Sequence, residues 1–263
     1  MAYVFTILFL LFGTLSRASS LFQDDFDKKE NSKIFQRLFN KENLVEIVPG
    51  AGVSQTPGLR VTYVGNEVGS KRIVSRFELS EAVTEASLSY DVKFEEDFQF
   101  MKGGKIHGLG PSNPVAAGDS MEPSRWSSRI MFFDQGKIAS YLYHQRKTGQ
   151  YGDTHIDENF KFQNGKFYAV TLYTKINSSA EASDGEAWVY IDGKRIVGQG
   201  NVQFWKTDPE SSKISKFMFS TFFGGHDPSW APKDVSGGYK NVHAIFDNFV
   251  VEKGLKIRAS PGQ

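Results

Sequence analysis

The chain has 263 residues, 31 of them Lys or Arg and 30 Asp or Glu, for a formal charge of +1, so its bulk electrostatics give no reason to expect nucleic acid or an anionic membrane as partner. Cysteine is absent, which excludes disulfides and thiolate chemistry, while 23 Phe, 10 Tyr and 25 Gly favour strands and turns over helices.

Residues 3–15 form a nearly unbroken apolar run, and Ser16-Arg17-Ala18-Ser19-Ser20 supplies the small residues of a signal-peptidase site. The run is short for a membrane span of ~20 residues, and no second one follows. The expectation is a signal peptide over 1–20, a secreted, extracellular product, and no membrane association after cleavage. The charged segment 21–42 places Ile34, Phe35, Leu38 and Phe39 on one face of a short helix. It reads as an N-terminal flank, with Asp24-Asp25-Phe26-Asp27 as a solvated acidic tail.

From Leu44 onward the texture changes to short apolar runs broken by Gly, Asn and Pro, and 43–263 reads as one domain. Strands are expected over 44–48, 59–64 and 72–79. The clearest alternation sets Ala86, Leu88, Tyr90, Val92 and Phe94 against Ser87, Ser89, Asp91, Lys93 and Glu95, a strand with one buried face. It runs into a cationic, glycine-rich stretch at 98–109. There Gly103 and Gly104 leave room for a bulky substrate near the backbone, and an extended chain sends Lys105 and His107 to one face.

A long surface loop is expected over 108–123, on the same edge as Lys105. Strands at 127–133 and 137–143 are joined by Asp134-Gln135-Gly136, which has the length and glycine of a tight turn. Residues 145–162 are polar and without pattern. A strand over 166–174 follows, then a hairpin of 187–191 with 194–197 closed by Asp192-Gly193, an apolar run at 217–223 and a last strand at 242–251. Asn177-Ser178-Ser179 is a glycosylation sequon in a polar loop. About a dozen short strands with glycine-rich turns predict an all-β fold, a jelly-roll β-sandwich of two antiparallel sheets with a concave groove.

Alternation puts Ser127, Arg129 and Met131 on one face of their strand, and Tyr141 and Tyr143 on one face of the next. An arginine in mid-strand is costly to bury without an anion, so it belongs on a wet face or beside a carboxylate. If the hairpin aligns these faces, Lys105, Ser127, Arg129, Tyr141 and Tyr143 make a cationic, hydroxyl-bearing groove without a carboxylate. Usual glycoside hydrolysis needs two acids flanking the bond, so this set does not suit it. Cleaving a uronate polymer by β-elimination needs a neutralised carboxylate, removal of the C5 proton and protonation of the leaving oxygen at C4. Lys105 and Arg129 are candidates for the first task. Tyr141 or Tyr143 can exchange protons if the cations favour phenolate, and His107 is a competing base because imidazole titrates near neutrality.

On these residues the sequence resembles polysaccharide lyase family 14, a jelly-roll group that includes alginate lyases, and more loosely the fungal glucuronan lyases. The segments that carry the resemblance are KGGKIHGL at 102–109, WSSRIMF at 126–132, YLY at 141–143 and FFGGHDPSWAP at 222–232. The resemblance implies Lys105, Ser127, Arg129, Tyr141 and Tyr143 as catalytic residues. Within the same segments Lys102, His107, His226 and Trp230 are candidate substrate contacts. The implied function is a monomeric, cofactor-free lyase that cleaves 1,4-linked uronate polymers, alginate foremost, by metal-independent β-elimination and leaves 4,5-unsaturated uronate ends. The alternatives are a glucuronan lyase, or a jelly-roll protein that binds acidic polysaccharide without turnover.

Overall fold

Strands that alternate apolar and polar residues have one face to hide, and two such sheets satisfy each other by packing face to face. The computed structural model describes residues 20–39 and 43–263, so the expected signal peptide, apart from Ser20, lies outside the described residues. The first strands are β1 (Phe22–Asp24), β2 (Val45–Val48), β3 (Gly58–Asn66), β4 (Gly69–Ser70), β5 (Ile73–Val83), β6 (Glu85–Phe94) and β7 (Gly104–Gly110). After them come β8 (Ser127–Phe132), β9 (Ile138–Tyr143), β10 (Asp153–Asp157), β11 (Phe167–Lys175), β12 (Gly185–Ile191), β13 (Lys194–Val202), β14 (Ile214–Phe223) and β15 (Asn241–Lys253). Two short helices are α1 (Lys33–Leu38) and α2 (Pro209–Ser212).

The larger sheet runs β13-β12-β11-β6-β15-β3-β2, with β1 beside β15 and β4 beside β3. The smaller runs β10-β9-β8-β7-β14-β5, and the pairings in both sheets are antiparallel. Late strands intercalate between early ones, β15 between β6 and β3 and β14 between β7 and β5, which is the jelly-roll pattern expected from the sequence. Between the sheets lies a phenylalanine-rich core. Phe94 meets Phe98, both meet Phe132, and Phe98 and Phe132 meet Phe223, at ring-centroid distances of 4.6 to 5.7 Å that suit edge-to-face and offset packing.

The N-terminal segment is part of the sandwich. Phe22 packs on Phe77 and Phe217, and the expected helix buries Ile34, Phe35 and Leu38 in the same core, while Phe39 is exposed. The acidic stretch is not a solvated tail. Asp24 is buried and accepts hydrogen bonds from Ser32 Oγ (3.0 Å) and Ile34 N (2.8 Å), and Ser32 Oγ accepts from Phe35 N as the cap of α1. The sequon is also structural: Asn177 is buried, donates to Ser179 O and Trp205 O, and accepts from Phe204 N and Trp205 N. Both amide hydrogens are committed, so the folded protein does not offer Asn177 as a glycan acceptor. The strand β10, within the patternless 145–162, is an element that its polar, exposed sequence did not signal.

On the outer face of the larger sheet, Asp91 and Asp247 stand opposite each other on β6 and β15, fully buried. The C-terminal tail covers them: Arg258 Nη1 lies 3.3 Å from Asp91 Oδ2, which also accepts from Asn248 Nδ2 and Gly262 N. Asp247 Oδ2 accepts from Val53 N and Thr56 Oγ1. Burial outweighs these bonds and pushes the Asp247 carboxyl up to about 6, with the charge of Asp91 adding to the rise. A carboxyl raised in the folded state keeps its proton after the unfolded chain has lost it, so stability falls as pH rises. For Asp247 the window is from about pH 4 to about pH 6, with a total of up to about 3 kcal/mol. Denaturant titrations across that window should show the decline in the wild type and a shallower one in Asp247→Asn. Parallel slopes in the two proteins would remove Asp247 from the effect.

Candidate active site

The hairpin of β8 and β9 fixes the site. Its turn, Asp134–Gly136, places Gln135 at φ 59° and Gly136 at φ 80°, and the resulting register sets Arg129 opposite Tyr141 and Ser127 opposite Tyr143. On the other flank, β7 sets Lys105 opposite Met131 and Gly108 opposite Arg129. The five residues expected to carry chemistry therefore share the outer face of the smaller sheet. Lys105 Nζ stands 3.5 Å from the Tyr141 ring centroid and 2.8 Å from Met131 Sδ. The Arg129 guanidinium lies 5.3 and 5.8 Å from the Tyr141 and Tyr143 rings, and Tyr141 OH donates to Tyr143 OH at 3.3 Å.

His107 does not face this groove, contrary to the alternation argument. One extra residue of β7 lies between the Lys105–Met131 and Gly108–Arg129 pairs, a β-bulge that turns both Ile106 and His107 inward. The imidazole is fully buried among Tyr90, Phe219, Phe246 and Phe249, with ring centroids 4.3 to 4.9 Å away. Its Nδ1 accepts from Ser220 N at 3.3 Å, and burial holds its pKa well below the ordinary histidine value. It is thus neither substrate contact nor base. The glycines also have another reason than substrate approach: a Cβ on Gly104 would lie 2.2 Å from the Phe132 ring, and one on Gly108 2.3 Å from Arg129 Cγ.

Electrostatics sort the remaining groups. Arg129 is 4% exposed, and its Nε and Nη2, like Ser127 Oγ, have no hydrogen-bond partner. Such groups are rare and costly unless something fills them. Burial, then the neighbouring charges of Arg129 and Arg72, holds the Lys105 ammonium well below the ordinary lysine pKa. Tyr141 moves the other way, raised by burial and then by Tyr143, against weaker opposing pulls from Gly152 N–H and Arg129. The cations therefore do not make Tyr141 a phenolate. The amine of Lys105 is the group poised to accept a proton, and the Tyr141 phenol is the group that keeps one.

Two loops close over the tyrosines. Gly118 N donates to Tyr143 OH at 2.9 Å, and Gly152 N donates to Tyr141 OH at 3.1 Å. Val115 and Met121 pack against the pair, and His144 Nε2 to Asp153 Oδ2 (2.8 Å) ties the second loop to β10. At the Lys105 end, Gly224 N donates to Gly103 O at 3.0 Å and brings in the loop after β14. Lys102 lies 6.0 Å from the Trp230 ring, and Asp227 is influenced by both Lys102 and His226. These three candidate contacts thus cluster beside the groove, apart from the tyrosines.

A cation missed by motif reading is Arg72. It stacks on Phe222 at 4.5 Å and donates to Gly225 O, Val68 O and Phe223 O. Its position as the first residue of an expected strand gave no hint that β14 would carry it to Lys105. Among the described residues, one group of ligand-type side chains, Glu95, Asp97 and His243, has its donor atoms within 4.8 Å of one another. Arg60 (2.8 Å from Glu95) and Lys240 (3.6 Å from Asp97) already balance its charge. The groove itself offers phenols, a hydroxyl, a thioether and cations, a poor donor set for a divalent ion.

The sequence profile of the family described as Polysaccharide lyase 14 matches residues 55–249. No curated protein matches the chain in sequence. Among solved structures, the alginate lyase Aly36B, in a double mutant bound to an alginate trisaccharide, is 25% identical with a TM-score of 0.64, over 75% of this chain and 82% of that one. The marine PL-14 alginate lyase from Aplysia kurodai is 21% identical with a TM-score of 0.68, over 90% and 100%. An endo-β-1,4-glucuronan lyase from the fungus Trichoderma reesei is 19% identical with a TM-score of 0.58, over 85% and 93%.

The geometry predicts an anomalous lysine. Selective labelling of lysine side chains and NMR titration should show one Nζ that loses its proton well before the others, and Lys105→Ala should delete that signal. A spectrum in which all lysines titrate together would remove Lys105 as a base.

Proposed function

The chain belongs to polysaccharide lyase family 14, and we propose that its groove cleaves 1,4-linked uronate polymers, alginate foremost, by β-elimination. The observation that carries this reading is Arg129, a buried guanidinium whose Nε and Nη2 have no partner and which, among the described residues, has no carboxylate within ion-pair distance. A planar, permanently charged fork of donors fits a carboxylate in two-pronged fashion. Pairing of the uronate carboxylate with Arg129 withdraws charge and acidifies the C5 proton. The neutral amine of Lys105 takes that proton, the C–H electrons form the C4–C5 double bond, and the C4–O bond breaks. The leaving oxygen receives its proton from the Tyr141 phenol, which Gly152 N–H and Tyr143 hold in place, Tyr143 being held in turn by Gly118 N–H. Base, acid and charge neutralisation all come from side chains, so the step calls for no metal ion.

A base and an acid of opposite shift, with Lys105 Nζ 3.5 Å from the centroid of the Tyr141 ring, distinguish this arrangement from a passive binding face. The alginate named for two of the similar structures supports the choice of substrate, with glucuronan as second candidate from the third. Secretion is part of the same reading, supported by the apolar run at 3–15 and the small residues after it.

Mixing the protein with alginate should raise ultraviolet absorbance from the conjugated unsaturated uronate. Lys105→Ala and Tyr141→Phe should each lose roughly 10²- to 10⁴-fold in turnover with the fold intact by circular dichroism. No absorbance change on alginate, glucuronan or other polyuronates from mildly acid to alkaline pH would overturn the reading.

A further inference from the structure

Beyond the reacting centre, the outer face of the smaller sheet carries a straight row of residues across the strands. Arg76 on β5 stands opposite Met218 on β14, Met218 opposite Gly108 on β7, and Gly108 opposite Arg129 on β8. Three strand spacings of ~4.8 Å put Arg76 roughly 14 Å from Arg129. Between them on this face stand Gly108, which has no side chain, and Met218, which is buried close to Pro114. The charge of Arg76 is felt at the Arg129 guanidinium, as expected for two groups on one face.

Arg76 is exposed, and its recorded contact is a 3.4 Å bond from Nη2 to Pro114 O, which leans it toward the loop over the tyrosines. Among the described residues no carboxylate lies within ion-pair distance of it. Two residues along the same strand, Glu78 is paired with Lys216. Both side chains are charges on a sheet edge, where charge discourages unwanted pairing. A paired charge serves that purpose as well as a free one, so edge protection does not account for the missing partner of Arg76.

We propose that Arg76 is a distal substrate-binding cation, holding a carboxylate of the uronate polymer a few sugar units away from the bond that breaks. The inference rests on the polyuronate reading above and adds to it the direction in which the polymer lies, across the strands toward β5. A polymer so placed meets Arg129 at the reacting unit and Arg76 at the sheet edge, with Arg72 of the same sign nearby.

The test is steady-state kinetics of Arg76→Ala on long polyuronate and on short oligomers, at low and raised salt. On the long polymer KM should rise roughly threefold to tenfold with kcat within about twofold, the size expected of one exposed charge contact. The difference should shrink on oligomers too short to reach β5 and in salt that screens the contact. Arg76→Lys should recover most of the loss, and Lys194→Ala, on the other sheet, should change nothing. An unchanged KM and salt profile in Arg76→Ala, with the wild type active, overturns the role of Arg76 and leaves the polyuronate reading standing. If the wild type binds polyuronate in retardation gels without cleaving it, equal retardation of Arg76→Ala overturns the role and reduced retardation supports it. A wild type that neither binds nor cleaves overturns both.

Discussion

The smaller sheet holds Lys105 and Arg129 on one face with Arg72 at their side, and no carboxylate among them. In a protein interior this is an expensive arrangement, because each cation gives up water without gaining a counter-charge. Burial, with repulsion from Arg129 and Arg72 on Lys105 and from Arg76 on Arg129, pushes both groups toward losing their protons, and only the amine can do so at ordinary pH. One stress thus has two outcomes: a neutral amine and a guanidinium that stays charged and unsatisfied. The sandwich pays for this with its phenylalanine core and with the β8–β9 register, which leaves the Arg129 side chain no alternative partner to swing toward.

Much of this was legible from local pattern. The alternation of β6, the glycine turn at Asp134–Gly136 and the same-face spacing of Ser127 with Arg129 and of Tyr141 with Tyr143 follow from period two and turn chemistry, and these need only neighbouring residues. What the sequence hid depends on pairing between distant strands. The bulge at Ile106 and His107 exists only because β7 must match β8 on one side and β14 on the other, so simple alternation sent the imidazole to the wrong face. Arg72 and Arg76 looked like ordinary strand charges until β14 laid β5 alongside the groove. Family resemblance pointed to the candidate residues, whereas the protonation roles proposed for them rest on burial, which no motif records.

The rest of the molecule acts as a frame for that face. The larger sheet carries its own buried carboxyls, Asp91 and Asp247, and answers them with Arg258 from the C-terminal tail on Asp91 and with Val53 N–H and Thr56 Oγ1 on Asp247, a solution the groove does not use. The N-terminal segment reads in sequence as a charged flank because its charges outnumber its apolar residues, yet Phe22, Phe26, Ile34, Phe35 and Leu38 all reach the core. Counting charges along a segment says little about docking when a few rings are spaced to land together.

The bulge in β7 also divides the motif at 105–108 between two selective pressures. Lys105 and Gly108 answer to the groove, one as its proposed base and the other as the empty space against Arg129, while Ile106 and His107 answer to the aromatic cage behind it. A change at position 107 therefore bears on core packing and a change at 105 on the proposed chemistry, although the two residues are separated by a single amino acid. For anyone redesigning the groove, the cage and the reacting face can be rewritten independently as long as the loop-out of one residue is kept.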